Sequence, residues 1–325
     1  MQLSTKHTGY MTKRSLSKVS LFSQDLLGVS SNFLSAIDFI TIAFCGWILL
    51  YMSVGISYTY EPWIHIPKYL GVCISVLLMA WLSRQAFVTG NPKLNKPLSF
   101  LRGIYPVLLF GYFFTSSHAF NRIIFHDWLD PLFMAIDKSV FGYYPSLEWG
   151  KELSQAWAQE LFHAAYFCYY PMIAGLPVYL YFKQPKAFKE LIFNLTFVFY
   201  LCYTIYSILP VIGGRFIPEA MEITKTYRAG LFTHIMVFIY RHSGHLGGAF
   251  PSSHIAITLV LTVAALRFVR PAGYVFSVIA FFLSIATVFC HYHWAIDACM
   301  GIVTGIGAYY LANYVRAKLF LLGYQ

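Results

Sequence analysis

"GGAFPSSHIAITLV", Gly247 to Val260, sets two glycines, a proline, two serines and a histidine directly against an apolar run. The run that follows His254 is apolar enough to enter a bilayer, so the polar cluster marks the mouth of a membrane helix. Pro251 suits the first helical position, where its missing N–H leaves nothing unsatisfied. The amides of Ser252, Ser253 and His254 then fall at the helix start, where the helix dipole favours an anion. Gly247 and Gly248 let the preceding backbone come close to a ligand. A plain helix cap accounts for the serines. It does not account for the imidazole of His254 beside them.

The rest of the chain fits that mouth. Of 325 residues, 58% are hydrophobic and 11% charged, and the mean hydropathy is +0.60. A soluble domain carries about a quarter charged residues. The expected fold is therefore all-α, a polytopic membrane helical bundle. Apolar runs predict eight spans, at roughly 37–57, 69–87, 103–119, 160–182, 188–210, 252–268, 273–290 and 295–316. With both termini cytoplasmic, most of the 23 Lys and Arg fall in inside segments, as the positive-inside rule requires. The net charge of +10 then reflects topology and not nucleic-acid binding, since the basic residues form no stripe. The six cysteines lie in or beside apolar runs without a CxxC pair, and read as small hydrophobes. Residues 1–36 read as a retained basic tail, with 19–34 lying amphipathically on the membrane surface.

Two outside segments are long. In 120–159, Ile124, Trp128, Leu132, Ile136 and Val140 recur at helical spacing, which predicts an interfacial helix on the outer leaflet. The second, about 211–251, leads into the opening stretch.

Two further motifs share the outer face with it. In "TVFCHYHWAIDACMG", residues 287–301, His293 and Asp297 are four apart and so share a helical face. A carboxylate on one imidazole nitrogen fixes the tautomer and leaves the other a better nucleophile; a structural His–Asp pair is the plainer alternative. In "LPVIGGRFIPE", residues 209–219, Arg215 follows two glycines and is placed to grip a phosphate bidentately, or a lipid headgroup from an exposed loop. Arg241, Arg228 and Lys225 are further candidates.

Together these pieces resemble the type 2 phosphatidic acid phosphatase superfamily, which includes lipid phosphotransferases. Its second block is similar to Pro251-Ser252-Ser253-His254, and its third to the run ending His293-Trp294-Ala295-Ile296-Asp297. Arg215 best matches the arginine of its first block, although Ile208 stands at the family's lysine, Phe216 at the following proline, and Thr287 at the third-block arginine. "AFPSSH", the segment "DWLDPLFMAIDKSVFGYYP" and His291 look more like the branch with inositol phosphorylceramide synthases. The resemblance implies a six-helix catalytic core at 100–325, after two extra helices at 37–99. It implies His293 as nucleophile, Asp297 as its orienting group and His254 as acid and base. Phosphate would be bound by Arg215, Ser252, Ser253, His291 and Arg241, with no cofactor and no metal required.

The implied substrate is a lipid phosphate monoester or pyrophosphate, hydrolysed on the periplasmic, extracellular or luminal face. The alternative is transfer of a phosphoryl headgroup to a lipid or alcohol acceptor. A transporter is the rival of another class, although the span centres lack the ionisable residues such pathways use. A zinc or haem site on His254, His291 and His293 is a third reading.

Overall fold

The computed structural model describes residues 33–89, 92–225, 230–242 and 245–324. The stretch expected to lie on the membrane surface at 19–34 falls almost wholly outside them, as does most of the basic tail.

The described residues form helices without strands: α1 (Ala36–Val54), α2 (Pro62–Val88), α3 (Pro92–Ser116), α4 (Asp130–Phe141), α5 (Pro145–Glu152), α6 (Ala156–Phe167) and α7 (Tyr169–Lys183). There follow α8 (Pro185–Ile208), α9 (Pro218–Lys225), α10 (Leu231–His242), α11 (Ser253–Phe268), α12 (Arg270–Phe289) and α13 (Ala295–Leu321). Six segments are individually long and apolar enough to cross a membrane: Ala36–Val54, Pro62–Ala86, Pro97–Ala119, Pro185–Ile208, Arg270–Phe289 and Ala295–Leu321. Two of the eight expected spans differ. The one at 160–182 is divided at Cys168 between α6 and α7, of 12 and 15 residues. Pro171 has no N–H for the carbonyl of Phe167, which removes the bond that would have continued the helix. The one at 252–268 is α11, apolar but only 16 residues long.

α8 is the axis of the bundle, with 72% of its apolar window buried. It packs against α1, α3, α7, α11 and α13. Tyr206 and Ser207, near its C-terminal end, are fully buried. α11 and α13 approach closely because small residues line their contact. A Cβ on Gly301 would lie 2.8 Å from the Ser252 carbonyl oxygen, and one on Gly305 2.8 Å from the Ala256 Cα. Such backbone proximity is how membrane helices gain van der Waals contact.

α4 corrects the expectation for the first long outside segment. The helix begins at Asp130, so Ile124 lies outside it. Leu132 and Val140 are exposed, whereas Asp130, Phe133 and Asp137 are buried. The acids turn inward, towards the start of α13.

Gly305→Val forces α11 and α13 apart where no flexible side chain can yield. We expect a loss of about 1–3 kcal/mol, read as a lower thermal midpoint in detergent. Gly307→Ala, where a Cβ meets nothing within 4 Å, is the control and should melt like the wild type.

Candidate active site

Three separate segments deliver the polar residues. The first is the mouth of α11. Ser252 is its N-cap, and the helix begins at Ser253, so Pro251 precedes the cap and is not the first helical residue. Two of the amides expected to be free are already used. Ser252 N–H donates to the Asp297 carbonyl at 3.1 Å, and Ser253 N–H to the Tyr206 hydroxyl at 3.2 Å. Tyr206 in turn donates to the Pro251 carbonyl at 2.9 Å. The His254 ring packs between those of Tyr166 and Tyr169, with centroids 4.8 and 4.5 Å away.

The second segment is the turn between α12 and α13. His293 is held by its own N–H, which donates to the Thr287 carbonyl at 2.9 Å. Its Nδ1 is 3.6 Å from Asp297 Oδ2, within ion-pair reach but longer than a hydrogen bond. Its Nε2 lies 3.2 Å from Ser252 Oγ, and its ring centroid is 6.4 Å from that of His254. Burial is the main cause that pushes the His293 imidazole down to about 3, and His254 adds to it. The ring is therefore neutral at pH 7 and keeps a lone pair. Asp297 Oδ2 accepts from Trp294 N at 2.8 Å. The next two amides, of Ala295 and Ile296, donate to Asp137 at 2.8 and 2.9 Å.

The third segment carries Arg215. Asp130 accepts from the amides of Ile212 at 3.0 Å and Gly213 at 2.9 Å. It also accepts from the Trp294 indole at 2.9 Å, so one carboxylate ties the arginine loop to the His293 segment. Gly213 has φ +84°, and a side chain there would strike the Tyr292 carbonyl. The Arg215 guanidinium lies 4.4 Å from the ring centroids of both Phe216 and Tyr240. Among the described residues no carboxylate pairs with it.

His293, His254, Ser253 and Arg215 line one cavity of about 370 Å³. Tyr166, Tyr169, Tyr170, Tyr203, Tyr240 and Tyr292 form much of its wall. Val107, Phe110, Ile173 and Phe199, from α3, α7 and α8, form an apolar side. Among the described residues no acid lines it.

Other expected residues stand elsewhere. His291 is fully buried, with Nδ1 hydrogen-bonded to the Ser146 carbonyl; it is absent from the cavity wall, because a positive φ of 60° turns it away. It does not stand on that wall with His254, His293 and Arg215. Ser252 sits behind the wall, against His293. Lys225 pairs with Glu222 on the exposed surface of α9. The Arg241 side chain and Arg228 lie outside the described residues. Gly247 and Gly248 do line the cavity, but a Cβ on either would meet Asn121 or His245, so their smallness serves the fold directly. No three His, Cys, Asp or Glu side chains among the described residues come together to hold a metal.

Asp130 and Asp137 escaped the sequence reading, although their spacing of seven put them on one helical face. Tyr206 carried no sequence signal, since a tyrosine in an apolar span reads as core.

A family model of the PAP2 superfamily matches residues 133–311, which is more than half of the 325-residue chain. The chain belongs to that superfamily. The matched region runs from α4 to α13 and includes Arg215, His254, His293 and Asp297. Comparison with curated proteins and with solved structures finds no match. Membership in the superfamily supports phosphoryl transfer as the class of reaction. With six apolar helices of spanning length, it supports a multi-pass membrane protein.

Asp130→Ala removes the acceptor for three buried donors at once. We expect a loss of about 2–4 kcal/mol, measured by thermal denaturation in detergent. The exposed Lys138→Ala on the same helix should stay within about 0.5 kcal/mol of wild type.

Proposed function

We propose that the chain is a lipid phosphatase acting through a phosphohistidine on the non-cytoplasmic face, with both termini cytoplasmic. One observation carries this reading: three motifs distant in sequence meet on a single cavity that holds three histidines and an arginine but, among the described residues, no acid. A cation without a carboxylate partner, beside a neutral imidazole, suits an anionic phosphoryl group. The apolar side of the cavity suits the hydrocarbon part of a lipid.

In the proposed reaction, Asp297 holds the proton of His293 on Nδ1, so Nε2 carries the lone pair. Ser252 releases Nε2, which attacks phosphorus. The P–N bond forms as the P–O bond to the lipid alcohol breaks, and His254 gives its proton to the departing oxygen. Water then attacks phosphorus, its proton passes to His254, and the P–N bond breaks with return of the lone pair to His293. Arg215 stabilises charge on the transferring group throughout. If an alcohol replaces water, the same steps make a phosphotransferase. The superfamily match favours either over transport.

His293→Ala should lower phosphate release from a lipid phosphate by about 10⁴-fold or more, and Asp297→Asn by about 10³–10⁴-fold. Both are read in detergent with EDTA present; turnover equal to wild type in His293→Ala would overturn the mechanism. Quenching during turnover should trap a phosphoenzyme that is acid-labile and alkali-stable, as expected for phosphorus on nitrogen.

The pH dependence follows from the depressed His293. A nucleophilic imidazole fails when it is protonated, as pH falls through its own pKa. The loss of phosphoenzyme formation should therefore fall well below pH 6.5, the ordinary histidine value. Rapid-quench phosphoenzyme yields between pH 4 and 8 measure it.

A further inference from the structure

His245 belongs to none of the three motifs, yet it lines the same cavity as His254, His293 and Arg215. Only 7% of it is exposed, and among the described residues neither ring nitrogen has a partner at hydrogen-bond geometry. A buried polar group left so is costly unless something else satisfies it. The ring lies against Phe114, with centroids 4.0 Å apart.

The residues that follow it, 246–249, are anchored to two other segments. Asn121 donates to the carbonyls of Leu246 at 3.1 Å and Gly247 at 3.4 Å. The amides of Gly248 and Ala249 both donate to the Val211 carbonyl at 2.9 Å. Gly247 takes φ +85° against the Asn121 side chain. These contacts hold the backbone that follows His245, so the residue is kept at the cavity wall.

The chemistry of the ring selects its ligand. Burial pushes His245 down to about 4, outweighing the nearby Gly247 and Thr115 carbonyls, which favour the protonated ring. A neutral imidazole offers one N–H donor and one lone pair. An unprotonated phosphate oxygen can meet the N–H but leaves the lone pair without a donor. A hydroxyl both gives and accepts a proton, and satisfies such a ring from either side.

We propose that His245 forms the binding site for the alcohol component of the reaction, a hydroxyl-bearing group on or approaching the reacting phosphorus. This rests on the phosphoryl-transfer reading above. The hydroxyl has two sources, the headgroup of the donor lipid or a free alcohol acceptor.

The test uses the purified full-length chain in detergent, with dioleoyl phosphatidic acid and dioleoyl phosphatidylglycerol as donors. Diacylglycerol release gives the ratio of kcat/KM for the glycerol-bearing lipid over the plain phosphate. A second ratio comes from phosphatidic acid with added glycerol, as glycerol phosphate formed over free phosphate. His245→Ala should lower at least one ratio by about tenfold, and His245→Gln, which keeps a donor and an acceptor, should recover part of it. A fall in the first ratio assigns the site to the headgroup, and in the second to the acceptor. Because each is a ratio within one preparation, general damage to the fold does not move it. If neither ratio changes, the proposal fails while phosphoryl transfer stands. If the wild type releases no diacylglycerol, or His293→Ala releases as much, the phosphoryl-transfer reading fails and takes this proposal with it.

Discussion

Two buried carboxylates on one short helix hold the candidate site together. Asp130 and Asp137 of α4 accept five hydrogen bonds, from Ile212, Gly213, the Trp294 indole, Ala295 and Ile296. Taking carboxylates out of water is expensive unless their lone pairs are used. Here four of the donors are backbone amides that would otherwise be orphaned at a helix start and in a tight loop, and the fifth is the buried Trp294 indole. Asp137 also meets the positive end of the α13 dipole. The helix and the loop each need what the other supplies, and α4 fixes the distance between them.

The consequence is electrostatic. The start of α13 is filled by Asp137 and Asp297, and the first two amides at the α11 mouth by Asp297 and Tyr206. Neither Asp137 nor Asp297 reaches the cavity wall. Negative charge is thus spent behind the wall on orientation, and the polar side chains that the described residues bring to the cavity are arginine, imidazole, phenol and the Ser253 hydroxyl. An anion entering it meets no like charge. The tyrosines add polar edges on an aromatic surface, which tolerates the apolar side of the same cavity.

Much of this was legible in the sequence. Hydropathy points to the helical membrane class; His293 and Asp297 stand out by their spacing of four, His254 by its place beside two serines at a helix mouth and Arg215 by the two glycines before it, and the segments that carry them converge on one region. What escaped depended on contacts between distant segments. The inward face of α4 was hidden because its apolar stripe, Leu132 to Val140, was the stronger periodic signal, and the two acids read as solvated. The amides at the α11 mouth looked free because nothing in the sequence places Tyr206 or the Asp297 carbonyl beside them. His291 and His293 are two residues apart, and only the backbone turn at His291 sends them to different sides. The break at Cys168 was written in Pro171, but a hydropathy window averages over it.

The length of α11 bears on what the site can do. Sixteen residues make a helix of about 24 Å, shorter than the about 30 Å of a bilayer's hydrocarbon core. If its far end reaches one surface of that core, its mouth, with Ser252 and His254, lies beneath the other. The aromatic wall then takes the place of headgroups and water around the reacting phosphorus. On the proposed mechanism the neutral state of His293 is not incidental, because burial removes the charge that would otherwise disable it as the nucleophile. The same burial restricts water. On the proposed mechanism, the choice between hydrolysis and transfer then turns on which hydroxyl the cavity holds next to the phosphohistidine, and not on a change in the catalytic residues. With His245 placed as proposed, that choice is governed through binding alone, and the phosphorus chemistry proposed for His293 and His254 is left untouched.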